Sequence, residues 1–211
     1  MNLVFFALTT YTLFFLLAIL FITLVIYDEY FVLKRIKKLI QNNESKNENT
    51  EHIAIIISSK KTKNIESERK RLLCDGEYSL IKYFVRKKIK FKVYLWVNKE
   101  KFKEVIKNNN IKIVYIFGHG KRHGIRFENG EYLEYEDIKD YPPKDFVGQY
   151  HCNGTFYFLP TWKKSLADHI AKKGDVSHWL RFGPTTALKI WWMCNILKRV
   201  PHETKYFDIA K

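Results

Sequence analysis

Two residue types that often act together in catalysis stand beside glycines in this sequence. His119 lies within Gly118-His119-Gly120, and Cys152 precedes Asn153-Gly154. A free thiol is mostly protonated at neutral pH, but a neighbouring imidazole can take its proton and leave a nucleophilic thiolate. The same imidazole can later protonate a leaving amine. We therefore interpret His119 as a candidate general base and acid, and Cys152 as a candidate nucleophile.

Attack on a peptide carbonyl also needs donors for the negative charge that develops on the carbonyl oxygen. The glycines beside His119 allow the backbone to approach a substrate closely, and the backbone N–H groups of Gly120 and Cys152 are the candidate donors. Together these residues predict a cysteine endopeptidase acting on a protein or peptide substrate. We assign no substrate-pocket residue, and we predict no metal and no cofactor.

A zinc site is an alternative use of the same region. His119, His123, His151 and Cys152 would offer four nitrogen and sulfur ligands. Against this, neighbouring residues of one strand point to opposite faces, so His151 and Cys152 would diverge if both lay on a strand.

The elements that must position these residues alternate along the chain. Short apolar runs predict strands, amphipathic stretches predict helices, and Asn129-Gly130 between two β-like runs predicts a hairpin. The predicted strands are His52–Ser58, Lys90–Val97, Lys112–Phe117, 124–128, 131–135, Val147–His151 and Ser177–Phe182, and the predicted helices are 28–40, 65–88, 99–108, a short one before Pro142, 163–173 and 185–199.

This order predicts an α/β fold with a mostly parallel sheet covered by helices. Functional sites of such sheets gather at the carboxyl ends of the strands. His119 follows the third predicted strand and Cys152 follows the fourth strand of the parallel sheet. The topology therefore predicts that they meet at one edge.

The two strand ends read Tyr115-Ile116-Phe117-Gly118-His119-Gly120 and Gln149-Tyr150-His151-Cys152-Asn153-Gly154. This arrangement resembles the caspase-like cysteine peptidases, which include caspases, metacaspases, clostripain-like and CHAT-type proteases. The resemblance continues through 165–170, 173–175 and 182–187, and spans about residues 52–195. It implies a three-layer domain with His119 as general base and Cys152 as nucleophile. A bulky His151 before the cysteine and a short gap between the pair depart from the family, and an inactive, membrane-tethered interaction module is the alternative.

The N-terminal segment is apolar. No charged side chain occurs from Asn2 to Tyr27, and residues 3–27 as a helix would extend about 37 Å, enough to cross a bilayer. We predict an uncleaved transmembrane anchor over 1–27, a juxtamembrane helix and linker over 28–51, and a domain over 52–211. Basic residues follow the anchor but none precedes it, which predicts a single-pass protein of the cell membrane with its N-terminus outside and its domain in the cytoplasm.

The composition is basic, with a formal net charge of +15. Such a charge favours anionic partners, and the lipid bilayer is the predicted one. Nucleic acid is disfavoured because no helix-turn-helix, RNP or zinc-finger pattern occurs. Cys74, Cys152 and Cys194 lack the spacing of a disulfide framework, so we predict free thiols in a reducing compartment, with Cys74 and Cys194 in the core. The oligomeric state is not indicated.

Overall fold

A computed structural model of the chain describes residues 11–13, 15–17, 19–20, 38–41, 52–58, 76–127, 129–151, 164–176 and 183–203. Its strands are β1 (Ile53–Ile57), β2 (Lys92–Leu95), β3 (Ile113–Lys121), β4 (Gly124–Arg126), β5 (Tyr132–Glu134), β6 (Lys144–His151) and β7 (Ala171–Val176). Its α-helices are α1 (Glu77–Arg86), α2 (Lys99–Lys107), α3 (Leu166–Ile170) and α4 (Gly183–Trp192), the last continuing as a π-helix over Met193–Leu197. Single 3₁₀ turns occupy Tyr135–Ile138 and Pro201–Glu203.

The seven strands form a mostly parallel sheet. The parallel part has the order β2-β1-β3-β6-β7, so β3 is its central strand. The last three residues of β3 extend beyond the parallel sheet and pair with β4, which pairs in turn with β5. All five residues of β1, IAIII, are buried, as expected for a parallel strand covered on both faces.

Alternation along β3 divides the core into two layers. Tyr115 and Phe117 belong to the first layer, which is closed by α1 and α4. Val114 and Ile116 belong to the second layer, which includes buried residues of α2, α3 and the β4–β5 hairpin. Helices thus cover both faces of the sheet. Successive side chains of a strand point to opposite faces, and in these strands both faces carry apolar side chains that must be buried.

The predicted alternation of strands and helices is confirmed where the structure describes it. The hairpin across Asn129-Gly130 is present, and the short helix before Pro142 is the 3₁₀ turn Tyr135–Ile138. Three boundaries were wrong. β3 continues past Phe117 to Lys121, and β6 begins at Lys144, not Val147. The helix predicted over 163–173 ends at Ile170, and Ala171 begins β7. The edge of β6 supplies hydrogen-bonding partners to this polar segment, an influence that local sequence does not show. The strand predicted over 177–182 lies outside the described residues.

The described part of the chain contains no helix that is both long and apolar enough to cross a membrane. Most of the predicted anchor over 1–27 lies outside that part; its described residues, between Tyr11 and Leu20, are helical and exposed. Of the predicted juxtamembrane helix and linker, residues 38–41 are described and helical. Ile40 of this turn is buried in the first layer.

Candidate functional site

His119 lies on β3 at the carboxyl edge of the parallel sheet. The strand continues through Gly118, His119 and Gly120 to Lys121. At this point the partner strand changes, because Gly118 still pairs with His151 of β6 whereas His119 pairs with Arg126 of β4. The His119 side chain is half-buried. A strand that leaves its parallel sheet in this way places the imidazole at an accessible edge with a fixed backbone.

Both glycines beside His119 are required by close packing. Gly118 has a φ of +153°, and a Cβ atom there would overlap the Ser58 hydroxyl oxygen. A Cβ atom on Gly120 would overlap the carbonyl oxygen of Gly124 and lie 2.9 Å from the His151 ring. The two glycines therefore allow β1, β4 and β6 to approach the backbone around His119.

The neighbouring histidine, His151, belongs to the opposite face of the sheet. Its ring nitrogen Nε2 lies 2.7 Å from the Tyr135 hydroxyl, and both side chains are buried. Burial raises the Tyr135 pKa well above its usual range, so the phenol stays protonated at physiological pH. By alternation His119 shares its face with Tyr115 and Phe117, whereas His151 faces Gly120. His151 thus has a structural role in the second layer.

This geometry argues against the zinc alternative. His119 and His151 alternate to different faces, and the Nε2 atom of His123 lies 3.8 Å from a carboxylate oxygen of Glu134. Within the described ranges, no group of three or more potential metal ligands comes together. Cys152, the fourth proposed ligand, lies outside the described residues.

The loop that follows His119 is tied to the rest of the edge by polar contacts. Arg122 forms an ion pair with Asp168 at 3.0 Å, and the Gln149 amide nitrogen donates to the Arg122 carbonyl at 2.9 Å. The Gln149 amide oxygen accepts a hydrogen bond from the backbone N–H of Leu166 at 3.1 Å. Gln149 therefore connects the loop after β3 with the start of α3, across β6.

Asp168 also caps α3. Its carboxylate accepts from the backbone N–H and the hydroxyl of Ser165, whose own oxygen accepts from the Asp168 N–H. Burial opposes ionisation, but the Ser165 hydrogen bonds and the Arg122 charge outweigh it and lower the pKa of Asp168. The carboxylate is consequently ionised at neutral pH and fixes both the helix start and the loop.

His119 shares a face of the sheet with Tyr115 and Phe117. On this face, polar side chains of β6, β7 and α4 are bonded to each other. The Tyr150 hydroxyl donates to Asp175 at 2.7 Å, and Lys189 of α4 bonds both carboxylate oxygens of Asp175, at 2.7 and 2.8 Å. Tyr150 and Asp175 are buried, whereas the Lys189 side chain is 41% exposed. These bonds fix β6, β7 and α4 to each other next to the edge of the sheet.

The predicted nucleophile lies just beyond the described residues. β6 ends at His151, which pairs with Gly118, and Cys152 follows by one peptide bond. Gly120, the other predicted oxyanion donor, pairs with Ile125 in the β3–β4 ladder.

Cys194 is a core thiol, as predicted. It is buried in the first layer and forms no disulfide. Burial, with a smaller contribution from Glu203, raises the pKa of this thiol to about 12, so it is protonated and unreactive at neutral pH. Cys74 lies outside the described residues.

Sequence reasoning missed four residues of the same edge of the sheet, namely Ser58, Arg122, Gln149 and Asp168. Ser58 is buried next to Gly118, and its hydroxyl has no hydrogen-bond partner among the described residues. The Ser165-x-x-Asp168 spacing is a capping-box signal that could have been recognised. The contacts of Arg122 and Gln149 join residues far apart along the chain, so spacing could not reveal them.

Comparisons of the chain with protein-family models, with curated proteins and with solved structures find no match.

Proposed function

We propose that the protein is a membrane-tethered cysteine endopeptidase of the caspase-like type, with Cys152 as nucleophile and His119 as general base and acid. One observation carries this proposal. The strands that lead to the two residues, β3 and β6, are neighbours, parallel and in a register that sets Gly118 opposite His151. His119 follows Gly118 by one peptide bond, and Cys152 follows His151 by one peptide bond.

The alternation of side chains supports the same pairing. In β6, Phe146 and Tyr150 belong to the first layer, as do Tyr115 and Phe117 in β3. Position 152 has the parity of Phe146 and Tyr150, and position 119 has the parity of Tyr115 and Phe117. Continuation of the pleat by one residue would therefore direct the thiol and the imidazole to the same face.

The chemistry follows from this arrangement. His119 takes the Cys152 proton, and the thiolate attacks the scissile carbonyl carbon to form a tetrahedral oxyanion held by the Gly120 and Cys152 N–H groups. Collapse breaks the C–N bond while the imidazolium protonates the departing amine, leaving a thioester. Water, deprotonated by the imidazole, then attacks the thioester and releases the carboxylic acid and the thiol.

The membrane tether is supported by the composition and exposure of the N-terminal segment. The described residues between Tyr11 and Leu20 are helical, and each large hydrophobic residue in the set is between 44% and 77% exposed. Water is a poor solvent for such a surface, whereas a bilayer interior suits it. Basic residues 34, 35, 37 and 38 follow the segment, which supports a cytoplasmic domain.

Peptide cleavage by the full chain tests the catalytic proposal. Purified protein in mild detergent is incubated with a diverse peptide pool, and products are identified by mass spectrometry. Cys152→Ala is expected to abolish cleavage, and His119→Ala to lower kcat/KM about 10²- to 10⁴-fold because it removes proton transfer. Cys194→Ala and His123→Ala are the matched controls, one for each residue type, and should retain activity.

The inactive interaction module is the competing outcome. Cleavage by the Cys152→Ala protein at the rate of the unmodified chain would exclude the proposed nucleophile. Failure of a peptidyl acyloxymethyl ketone to label Cys152 in folded protein, together with no cleavage in the pool, would favour the module.

The tether is tested separately by alkaline carbonate extraction of membranes that contain the full chain. Retention in the pellet supports the anchor, and protease digestion of sealed vesicles then reports which side carries the domain. Release of the chain by carbonate would contradict the tether without affecting the catalytic proposal.

A further inference from the structure

Large exposed hydrophobic residues occur at only two places in the described ranges. One is the N-terminal segment between Tyr11 and Leu20, and the other is a set on α4 and the π-helix that continues it. The second set consists of Leu188, Trp192, Ile196 and Leu197, each between 47% and 51% exposed. We call these four residues the α4 stripe. Contiguous exposed apolar groups of this size usually mark a contact surface.

Spacing along the helix makes the stripe one continuous surface. Leu188, Trp192 and Ile196 follow each other at intervals of four residues, which brings their side chains onto one line along the helix. The opposite side of the same helix is buried, through Ile190, Met193 and Cys194 among others. The helix therefore has one apolar side in the first layer and a second apolar side that faces outward.

Basic residues adjoin the stripe within its own segment, and one carboxylate lies close to its end: that of Glu203, which accepts from the Val200 N–H at 3.1 Å. Lys198 and Arg199 at its carboxyl end are exposed, and no Asp or Glu occurs from Gly183 to Val200. The partly exposed Lys189 is bonded to Asp175. A surface that combines tryptophan, leucine and isoleucine with adjacent basic residues matches the interface of a bilayer containing anionic lipids.

The path of the chain brings this face close to the proposed anchor. Ile40 is buried in the first layer, the layer that α4 also closes. Residues 28–37 join the apolar segment to this turn, and they can extend to at most about 35 Å, or about 15 Å if helical. The bilayer that holds the apolar segment is therefore within a short tether of the side of the domain that carries α4.

We infer that the α4 stripe lies in the headgroup region of the same bilayer, against anionic lipid, and so holds the domain in one orientation. This inference rests on the tether under the proposed function, but not on the catalytic pair. Trp192 and the apolar side chains enter the acyl–headgroup boundary, while Lys198 and Arg199 contact lipid phosphates. Because Lys189 of the same helix is bonded to Asp175 next to Tyr150, the membrane contact would also fix the distance of the candidate site from the bilayer.

Quenching of tryptophan fluorescence by brominated lipid tests the inference. The full chain is reconstituted into vesicles of phosphatidylcholine and phosphatidylserine whose acyl chains carry bromine near the headgroup. We expect Trp192→Phe to remove a large part of the quenchable emission. Trp96→Phe is the matched control, because Trp96 is packed against the first layer and should contribute little to quenching.

A double variant removes the contact without touching the core. Leu188 and Ile196 are exposed, so Leu188→Lys with Ile196→Lys should fold normally and remain in the carbonate-resistant pellet, but lose quenching of Trp192. Equal quenching of the unmodified and Trp192→Phe proteins would overturn the inference. So would an unquenched Trp192 in a chain that dimerises, with the dimer lost in the double variant, because the stripe would then be covered by a second copy. Carbonate release would instead identify failure of the tether itself.

Discussion

The two edges of the parallel sheet are built from the same strands but differ in how their polar groups are satisfied. At the amino edge, Lys144 begins β6 with its side chain completely buried and its ammonium bonded to the carbonyls of Asn108 and Ile111, at 2.8 and 2.9 Å. At the carboxyl edge, the residues around His119 are glycines and half-buried polar side chains. One edge is sealed by its own contacts, whereas the other leaves His119, Arg122 and His123 partly exposed.

This difference decides which edge is the better candidate for a functional site. Burying a lysine is costly unless its charge is bonded, and the two carbonyls around Lys144 reduce that cost. At Gly118 and Gly120, the missing side chains let β1, β4 and β6 approach the backbone on either side of His119. The carboxyl edge is therefore the better place for chemistry, in agreement with the general behaviour of parallel sheets.

The largest expected effect on stability is at the carboxyl edge. Gly120→Ala should lower the free energy of unfolding by about 3 kcal/mol or more, because its Cβ would overlap the Gly124 carbonyl and crowd the His151 ring. Gly130→Ala is the matched control, since nothing lies within 4 Å of its added Cβ, although its φ is +88°. It should cost about 1 kcal/mol. Urea unfolding of both variants measures the difference, and equal losses would show that crowding near His119 is unimportant.

The stability of the folded chain should depend on pH through Lys144 at the amino edge. Burial, and to a smaller degree Lys112, lowers the pKa of Lys144 to about 8, from 10.5. Below pH 8 the amine is protonated in both the folded and unfolded states. Between about pH 8 and 10.5 the unfolded state binds more protons, so stability should rise with pH, by about 2 kcal/mol after allowance for the carbonyl bonds that favour the ammonium.

The Lys144→Met protein isolates this contribution from the other lysines. The stability of the unmodified chain relative to this variant should increase from pH 7.5 to pH 10. A constant difference across that range would indicate that Lys144 titrates normally and that the amino edge is open to water.

A smaller difference in stability is expected between the loss of an ion pair at the carboxyl edge and the loss of one at the amino edge. Asp168→Asn should cost about 1–2 kcal/mol because Asp168 bonds Arg122 and caps α3 in a half-buried setting. Asp145→Asn, at the amino edge, breaks a pair with Lys172 whose two side chains are 51% and 71% exposed, and should cost less than about 0.5 kcal/mol. Thermal unfolding at low salt compares them. A larger loss for Asp145→Asn would reverse the expected order of the edges.

Sequence patterns predicted the parts of the fold that depend on local periodicity. The apolar runs at β1, β3 and β6 and the Asn129-Gly130 turn identify a parallel sheet with an inserted hairpin. The strand Ala171–Val176 was missed because its AKKGDV sequence has no clear apolar alternation, and its pairing with β6 decides its conformation. The continuation of β3 through His119 to Lys121 was also not predicted, because GHGK has no apolar alternation; its pairing with β4 across the turn at 122–123 decides its conformation.

The candidate site shows the same limit. Residue type and strand order drew attention to His119 and Cys152, and the register of β3 and β6 supports their pairing. The roles of His151 and Lys144 could not be predicted, because each depends on partners far along the chain: Tyr135 for His151, and the carbonyls of the α2–β3 loop for Lys144. From sequence alone, a buried polar residue is predicted to lie at the surface, because the partners that satisfy it are not known.

The rate of alkylation at Cys152 as a function of pH measures whether His119 activates the thiol. The folded chain is treated with iodoacetamide between pH 5.5 and 9, and modification of each cysteine is followed by mass spectrometry. We expect rapid modification of Cys152 already near pH 6, where Cys194 with its pKa of about 12 stays unmodified, and we expect His119→Ala to move the Cys152 profile toward that of a free thiol, near pH 8.5. A Cys152 profile that already follows a free thiol and is unchanged by His119→Ala would show that the two residues do not form a catalytic pair.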